Sequence, residues 1–242
     1  MNTHSISETE NLDSIYKFYS EEVGFENILL RYKVQSIKPH LKGKALLDVG
    51  CGVGFLCRAF SKYFDCVTGI DGSPKKIQKA KEINALPNIN YIQNLFEDFN
   101  PEDKFDTIIV TNVLEHIETV DDFLGKVKSM LASEGRIIIT VPNAKGLHKR
   151  IGKHLGMITD FYELTEADIE KGHQRIYDRD KLVADLESAS FCVSSVEGIL
   201  LKPLSHRQME SWDIEICDAL YEIGKDLPDY CSSIMAICEK KL

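Results

Sequence analysis

The chain has 242 residues, 43% hydrophobic and 28% charged, with a formal net charge of −9. That length and apolar share suit one large α/β domain with a sizeable core, and the acidity disfavours a nucleic-acid enzyme, which needs cations to neutralise phosphates. No apolar run reaches the ~20 residues of a membrane helix, the start Met1-Asn2-Thr3-His4-Ser5 lacks the basic and apolar parts of a signal peptide, and the seven cysteines include no Cys-x-x-Cys pair, so a cytoplasmic protein with reduced core thiols and no membrane insertion is expected.

In chain order, residues 10–40 read as helical, with apolar positions at 15, 18, 25, 28, 29, 32 and 37 and a break at Gly24. Strands are predicted at 45–49, 66–70, 89–92, 106–111 and 135–141, with helices near 54–63, 74–84 and 120–131 between them. A helix at 179–189, a strand at 191–201, a helix at 207–224 and a last strand at 232–239 complete the pattern. Strands alternating with helices predict right-handed crossovers and a parallel sheet.

The richest stretch runs from Ala45 to Gly54, Ala-Leu-Leu-Asp-Val-Gly-Cys-Gly-Val-Gly, a buried strand entering a glycine turn. The next strand ends in Asp71, 17 residues past Gly54. This order builds a nucleotide-type pocket at the carboxyl edge of a parallel sheet, and an acid at roughly that offset, about 20 residues, accepts hydrogen bonds from ribose hydroxyls. The other reading of Asp71 is a helix cap ahead of Ser73-Pro74. A dinucleotide turn places its third glycine where this chain has Phe55, so a pyrophosphate packed on the turn is disfavoured, and with it a nicotinamide-dependent oxidoreductase.

The Asp48-x-Gly50-x-Gly52-x-Gly54 pattern resembles the first motif of class I S-adenosylmethionine-dependent methyltransferases. Lys104 to Ile117, with Thr111-Asn112-Val113-Leu114-Glu115-His116, is similar to the fourth-strand motif of small-molecule enzymes of the ubiquinone O-methyltransferase type, and Leu131 to Pro142 to their fifth-strand signature. The resemblance implies a Rossmann-like seven-stranded, mostly parallel sheet with an antiparallel last strand and helices on both faces. It also implies one domain over 1–242: a helical N-terminal cap (1–40), a cofactor core (41–142), a substrate lid after strand five (143–178) and a sheet-completing tail (179–242). S-adenosylmethionine is the implied cofactor, S-adenosylhomocysteine the product. The implied cofactor contacts are Asp48, Gly50, Cys51, Gly52, Gly54, Asp71, Gly72, Asn94, Leu95, Thr111 and Asn112, with Thr111 offering its carbonyl to the ammonium group and Asn94 facing the adenine. No metal is called for.

The substrate is to be sought outside this shared core. The segment Asn143–Asp178 is about three times an ordinary connection and reads as a lid. Its Gly172-His173-Gln174-Arg175-Ile176-Tyr177 run resembles the pre-helix segment of ubiquinone-type and sugar-tailoring methyltransferases. His173 and His116 are candidate general bases, and Arg175 a bidentate holder of an anionic group, with Tyr177 beside it. The competing reading makes both histidines and Arg175 structural ties. Tyr16 and Tyr19 would close the pocket from the N-terminal side, and Leu201–Gln208 would form another wall. The chain lacks an Asn/Asp-Pro-Pro-Tyr/Phe run after strand four, which disfavours exocyclic-amine methylation of nucleobases. A small polar acceptor methylated on oxygen is the favoured expectation, with a non-catalytic cofactor- or partner-binding protein as the alternative.

Overall fold

The computed structural model describes residues 25–241, with side chains from residue 28 onward. Tyr16, Tyr19 and the break at Gly24 lie outside the described residues.

Helix α1 (Phe25–Ile37) leads through a short 3-10 turn, Lys38–His40, into β1 (Ala45–Val49). Then come α2 (Phe55–Phe60), β2 (Cys66–Asp71), α3 (Pro74–Ile83), β3 (Ile89–Gln93), β4 (Phe105–Thr111), α4 (Val120–Met130) and β5 (Leu131–Pro142). The strands fall where the apolar runs predict them, within a few residues at each end. Ser73 starts α3 by accepting from the Lys76 amide at 3.2 Å, ahead of Pro74, so the cap is Ser73 and not Asp71.

The long connection after β5 is not structureless. It holds α5 (Leu147–His154) and α6 (Glu166–Glu170). Thr165 and Asp168 close a capping box at the start of α6, each side chain serving the other's backbone amide. The tail continues with α7 (Arg179–Ser188), β6 (Phe191–Ile199), α8 (His206–Met209), α9 (Ile214–Asp226) and β7 (Ser233–Lys240). The single helix expected at 207–224 is thus two. Ser205 and Gln208 spend a capping box on a one-turn helix, and the chain restarts at Asp213.

The seven strands lie in the order β3-β2-β1-β4-β5-β7-β6. All neighbouring pairs through β5 are parallel, and β7 runs antiparallel to both β5 and β6. Successive residues of the central strands point to opposite faces, and both faces are covered, which is why these strands read as continuous apolar runs. Ile108 and Val110 pack with Phe123 and Val127 of α4 and Leu182 of α7 on one face. Ile109 and Ile138 pack with Tyr32 of α1, Phe60 of α2, Ile77 of α3 and Tyr221 of α9 on the other.

All seven cysteines are free thiols, five of them buried. No described helix is long and apolar enough to cross a membrane.

Candidate active site

The carboxyl ends of β1, β2 and β4 meet at the glycine turn. After β1 the Gly50 and Cys51 amides both donate to the Ile70 carbonyl, at 2.8 and 2.9 Å, folding the turn over the end of β2. Asp71, 7% exposed, then accepts from the Gly52 amide through Oδ2 at 3.0 Å and from the Ser73 amide through Oδ1 at 2.9 Å. Each oxygen keeps a second lone pair. Gly52 has φ +56°, and a Cβ built on it meets nothing within 4 Å, so the turn lies against open space at the acid. Gly54 serves packing instead: φ is +81°, and a Cβ there would run into the Tyr91 ring, whose hydroxyl donates to the Gly54 carbonyl at 3.2 Å.

Beneath the turn lies Asp48. It is 1% exposed, Oδ1 has no hydrogen-bond partner, and Oδ2 accepts from the Cys57 thiol at 3.3 Å. Burial pushes its carboxyl up to about 7, with the negative charge of Asp71 adding to the effect. Asn94 follows β3 and donates its amide to the Asp71 carbonyl at 3.2 Å, which ties that turn to the same acid.

At the end of β4, Thr111 pairs with Thr140 of β5 and Asn112 takes a left-handed φ of 54°. Such backbone, tolerated by asparagine, clusters at ligand sites. The Asn112 side-chain oxygen accepts from the Lys33 ammonium of α1. No residue pattern in the sequence marks Lys33 for this place, because the contact spans 79 positions.

The sequence-predicted histidines come together. After β4 a 3-10 turn carries Leu114, Glu115 and His116, and the segment after β5 folds back onto it through Gly172, His173 and Gln174. The rings of His116 and His173 cross at 4.8 Å between centroids. His173 Nδ1 lies 3.1 Å from Asp168 Oδ1, a carboxylate held well below its usual range by that bond and by Thr165. His116 Nδ1 donates to the Gly172 carbonyl at 3.2 Å, and burial, with the neighbouring His173, lowers its ring to about 4. Glu115, 2% exposed, has neither carboxylate oxygen in a hydrogen bond, and burial pushes it up to about 7. One nitrogen or oxygen from each of Glu115, His116 and His173 lies within 4.8 Å of the others, a spacing that suits a shared cation, while no hydrogen bond joins Glu115 to either ring.

Arg175 and Tyr177 are more committed than the sequence shows. The Arg175 guanidinium donates to the Glu118 carbonyl at 2.7 Å, and Tyr177, 1% exposed, donates to Asp185 at 2.8 Å. A narrow cleft runs between these lid residues and the β5 end, with Glu115, Lys149, Asp168, His173 and Arg175 in its walls. A neighbouring cavity of about 150 Å³ reaches the other side of Asn143. Two ion pairs cross it, Lys145 with Asp178 and Arg179 with Asp229, each at 2.5 Å.

A doubly wound sheet with a glycine turn and an acid ending its second strand is the frame of class I S-adenosylmethionine-dependent methyltransferases. A methyltransferase-domain family model matches residues 25–196, and the chain belongs to that family. Its cofactor is S-adenosylmethionine. The chain is 28% identical over 182 residues, 73% of its length and 69% of the relative's, to the ubiquinone biosynthesis O-methyltransferase of Rhodopseudomonas palustris strain BisB5. Among solved structures, an S-adenosylmethionine-dependent methyltransferase from Mesorhizobium loti superposes with a TM-score of 0.63 at 18% identity, over 90% of this chain and all of that one. Magnesium protoporphyrin IX methyltransferase from Synechocystis gives 0.60 at 18%, over 97% and 94%. These two show the fold.

Proposed function

We propose that the chain methylates a hydroxyl oxygen of a small polar acceptor. The observation that carries this reading is the Asp168–His173 pair, 3.1 Å apart in the wall of the lid cleft. A sulfonium methyl is already electrophilic when S-adenosylmethionine is bound, so the protein has to supply position, dryness and a base. A base is needed when the nucleophile is a protonated hydroxyl. His173, with Nδ1–H donated to Asp168, turns Nε2 into that base, and Lys149 and Arg175 in the same cleft suit an acceptor with an anionic substituent. The activity named for the relatives, O-methylation in ubiquinone biosynthesis, supports oxygen.

For the cofactor, the open space at Gly52 and the spare lone pairs of Asp71 suit a ribose lying against the turn. Asp48, Gly50, Cys51, Gly54, Gly72, Asn94, Leu95, Thr111 and Asn112 complete the proposed binding set, and Lys33 adds a cation at the end of β4. His116, its Nδ1 donated to the lid backbone, acts as a latch, and the catalytic role falls to His173. In this layout residues 1–40 form the cap, 41–142 the cofactor core, 143–178 the lid and 179–242 the completing part of the sheet.

Calorimetric titration with S-adenosylmethionine, S-adenosylhomocysteine and, as control, NAD tests the pocket. Both sulfur nucleosides are expected to bind, and Asp71→Ala to weaken them on the order of tenfold or more, since it removes charge-assisted hydrogen bonds. Binding of NAD alone would overturn the pocket assignment. A methyl-transfer screen over hydroxyl and amine acceptors with an anionic group then tests the chemistry: turnover confined to amines would overturn oxygen as the acceptor.

A further inference from the structure

We propose that Cys51 and Cys57 form an oxidisable dithiol in the floor of the cofactor pocket, closed to a disulfide by a hydroperoxide and reopened by thiols. The closure stands on the two sulfurs alone, while its effect on the cofactor rests on placing the nucleoside at the glycine turn.

Gly69 marks the pair. It sits inside β2, in register with Asp48 of β1, and its φ is not left-handed, so the backbone itself has no need of a glycine there. A glycine within a strand then signals a close approach. A Cβ on Gly69 would stand 2.8 Å from Cys57 Sγ and 2.9 Å from Cys51 Sγ, so the two sulfurs share the space a side chain would fill. Cys51 reaches it from the glycine turn and Cys57 from α2. Cys57 is fully buried. Cys51, 8% exposed, adjoins Gly52, where the turn lies against open space, so a small oxidant meets Cys51 first.

Asp48 is the third member. Its Oδ2 accepts from the Cys57 thiol at 3.3 Å, and Oδ1 has no partner. Contact with Cys51 together with burial pushes the Cys57 thiol well above its usual range, and burial pushes Cys51 up, so both rest protonated and react more slowly than an exposed thiol. Proximity offsets this once Cys51 is oxidised, since its partner is already beside it. In the first step a bond forms from Cys51 Sγ to the terminal peroxide oxygen, the O–O bond breaks, and the other oxygen leaves with the Cys51 proton as water or an alcohol. Cys57 Sγ then attacks Cys51 Sγ while its proton passes to the Asp48 carboxylate. The sulfur–sulfur bond forms, the sulfur–oxygen bond breaks, and the departing hydroxide takes that proton to leave as water. The dithiol loses two electrons and the peroxide gains them.

The bridge acts on the turn. In the dithiol the Cys51 amide donates to the Ile70 carbonyl at 2.9 Å and the Gly52 amide to Asp71 at 3.0 Å. Drawing Cys51 toward α2 pulls the Gly52 amide off Asp71, the acid proposed to hold the ribose. A nucleoside lying on the turn covers Cys51 in its turn. Cofactor and oxidant therefore oppose each other.

The test needs no acceptor. Hydrogen peroxide is added to the full-length protein with and without S-adenosylhomocysteine, free thiols are alkylated, and the protein is digested with trypsin. Lys44 and Arg58 bound a peptide, 45–58, that holds Cys51 and Cys57 and no other cysteine. Mass spectrometry is expected to find it two hydrogens lighter and unalkylated after oxidation, and to find the change slower with the nucleoside bound. Affinity for S-adenosylhomocysteine should fall about tenfold with the loss of a charge-assisted hydrogen bond, and dithiothreitol should restore both mass and affinity. In Cys57→Ser the two-hydrogen loss is expected to vanish. A 45–58 peptide that stays fully alkylated while the exposed Cys66 and Cys192 oxidise overturns the dithiol, as does a bridge that forms only in urea. A bridge that forms in the folded protein with affinity unchanged overturns its effect on the cofactor. Failure of the reduced protein to bind the nucleoside would instead count against the pocket, and the peptide mass would still decide the bridge.

Discussion

Asp48 and Glu115 are two carboxyl groups buried in the same protein with the same electrostatic problem. Each has its ionised form destabilised by burial and titrates near 7. A carboxyl raised in the folded state contributes stability that is complete below the ordinary carboxylate range and lost as pH climbs through the raised value. The buried rings of His116 and His148, lowered in the fold, act in the opposite sense between about pH 4 and 6.5, so the carboxyl contribution is read from the difference between wild type and a variant that lacks it. Asp48→Asn, which cannot ionise, removes the Asp48 contribution, so the melting temperature of the cofactor-free variant is expected to rise relative to that of wild type as pH increases from about 4 to about 8. Thermal melts of wild type and variant across this range check it, and a constant difference would mean Asp48 is ionised throughout. At this scale the turn was legible: that Gly52 and Asp71 meet where β1 and β2 end follows from the strand, glycine turn, helix and strand order. The spacing did not reveal that Asp71 spends a lone pair of each oxygen on backbone amides, nor that Tyr177 turns its hydroxyl away to Asp185.

Among the elements, the lid shows how far a sequence pattern reaches. Its length set it apart from an ordinary connection, and Thr165 and Asp168 have the spacing of a capped helix start. Helix α5 was less visible, because Leu147–His154 is dominated by basic residues with few apolar positions to set a period. What fixes the lid is long-range. Gly172 and Gln174 bond the β4 end through His116 and Glu115, and Arg175 bonds the Glu118 carbonyl at 2.7 Å. On the far side the Ala144 amide donates to the Tyr177 carbonyl at 2.7 Å. Arg175→Ala removes one tie and leaves Glu118 to water, so residues 155–171 should be cut faster by a nonspecific protease while melting shifts little. Limited proteolysis with mass spectrometry reads this directly. Equal cutting rates would mean that the backbone bonds alone hold the lid.

For the whole molecule, the alternating apolar runs made the sheet and its crossovers readable, and the final reversed strand followed from the resemblance. The second core could not be read in the same way, since its partners lie far apart in the chain. Tyr32 of α1 stacks on Tyr221 of α9 at 4.6 Å and donates to Asp218 at 2.8 Å, across 186 positions. Tyr32→Phe keeps the stack and deletes the hydrogen bond to a charged group, so a loss of about 1.5–3 kcal/mol is expected from denaturant midpoints. A loss below about 0.5 kcal/mol would show that water replaces the bond fully.

The insertion of β7 between β5 and β6 has a kinetic consequence. Strands β1 to β5 can zip together in order of synthesis, each beside a neighbour already made. β6 cannot: its sheet pairing is to β7, so this nine-residue strand must wait, unpaired and with one edge of β5 open beside it, until residues 233–240 have left the ribosome. β7 is the wedge that joins β6 to the sheet, and until it emerges the nascent chain is most exposed to mispairing and most in need of a chaperone.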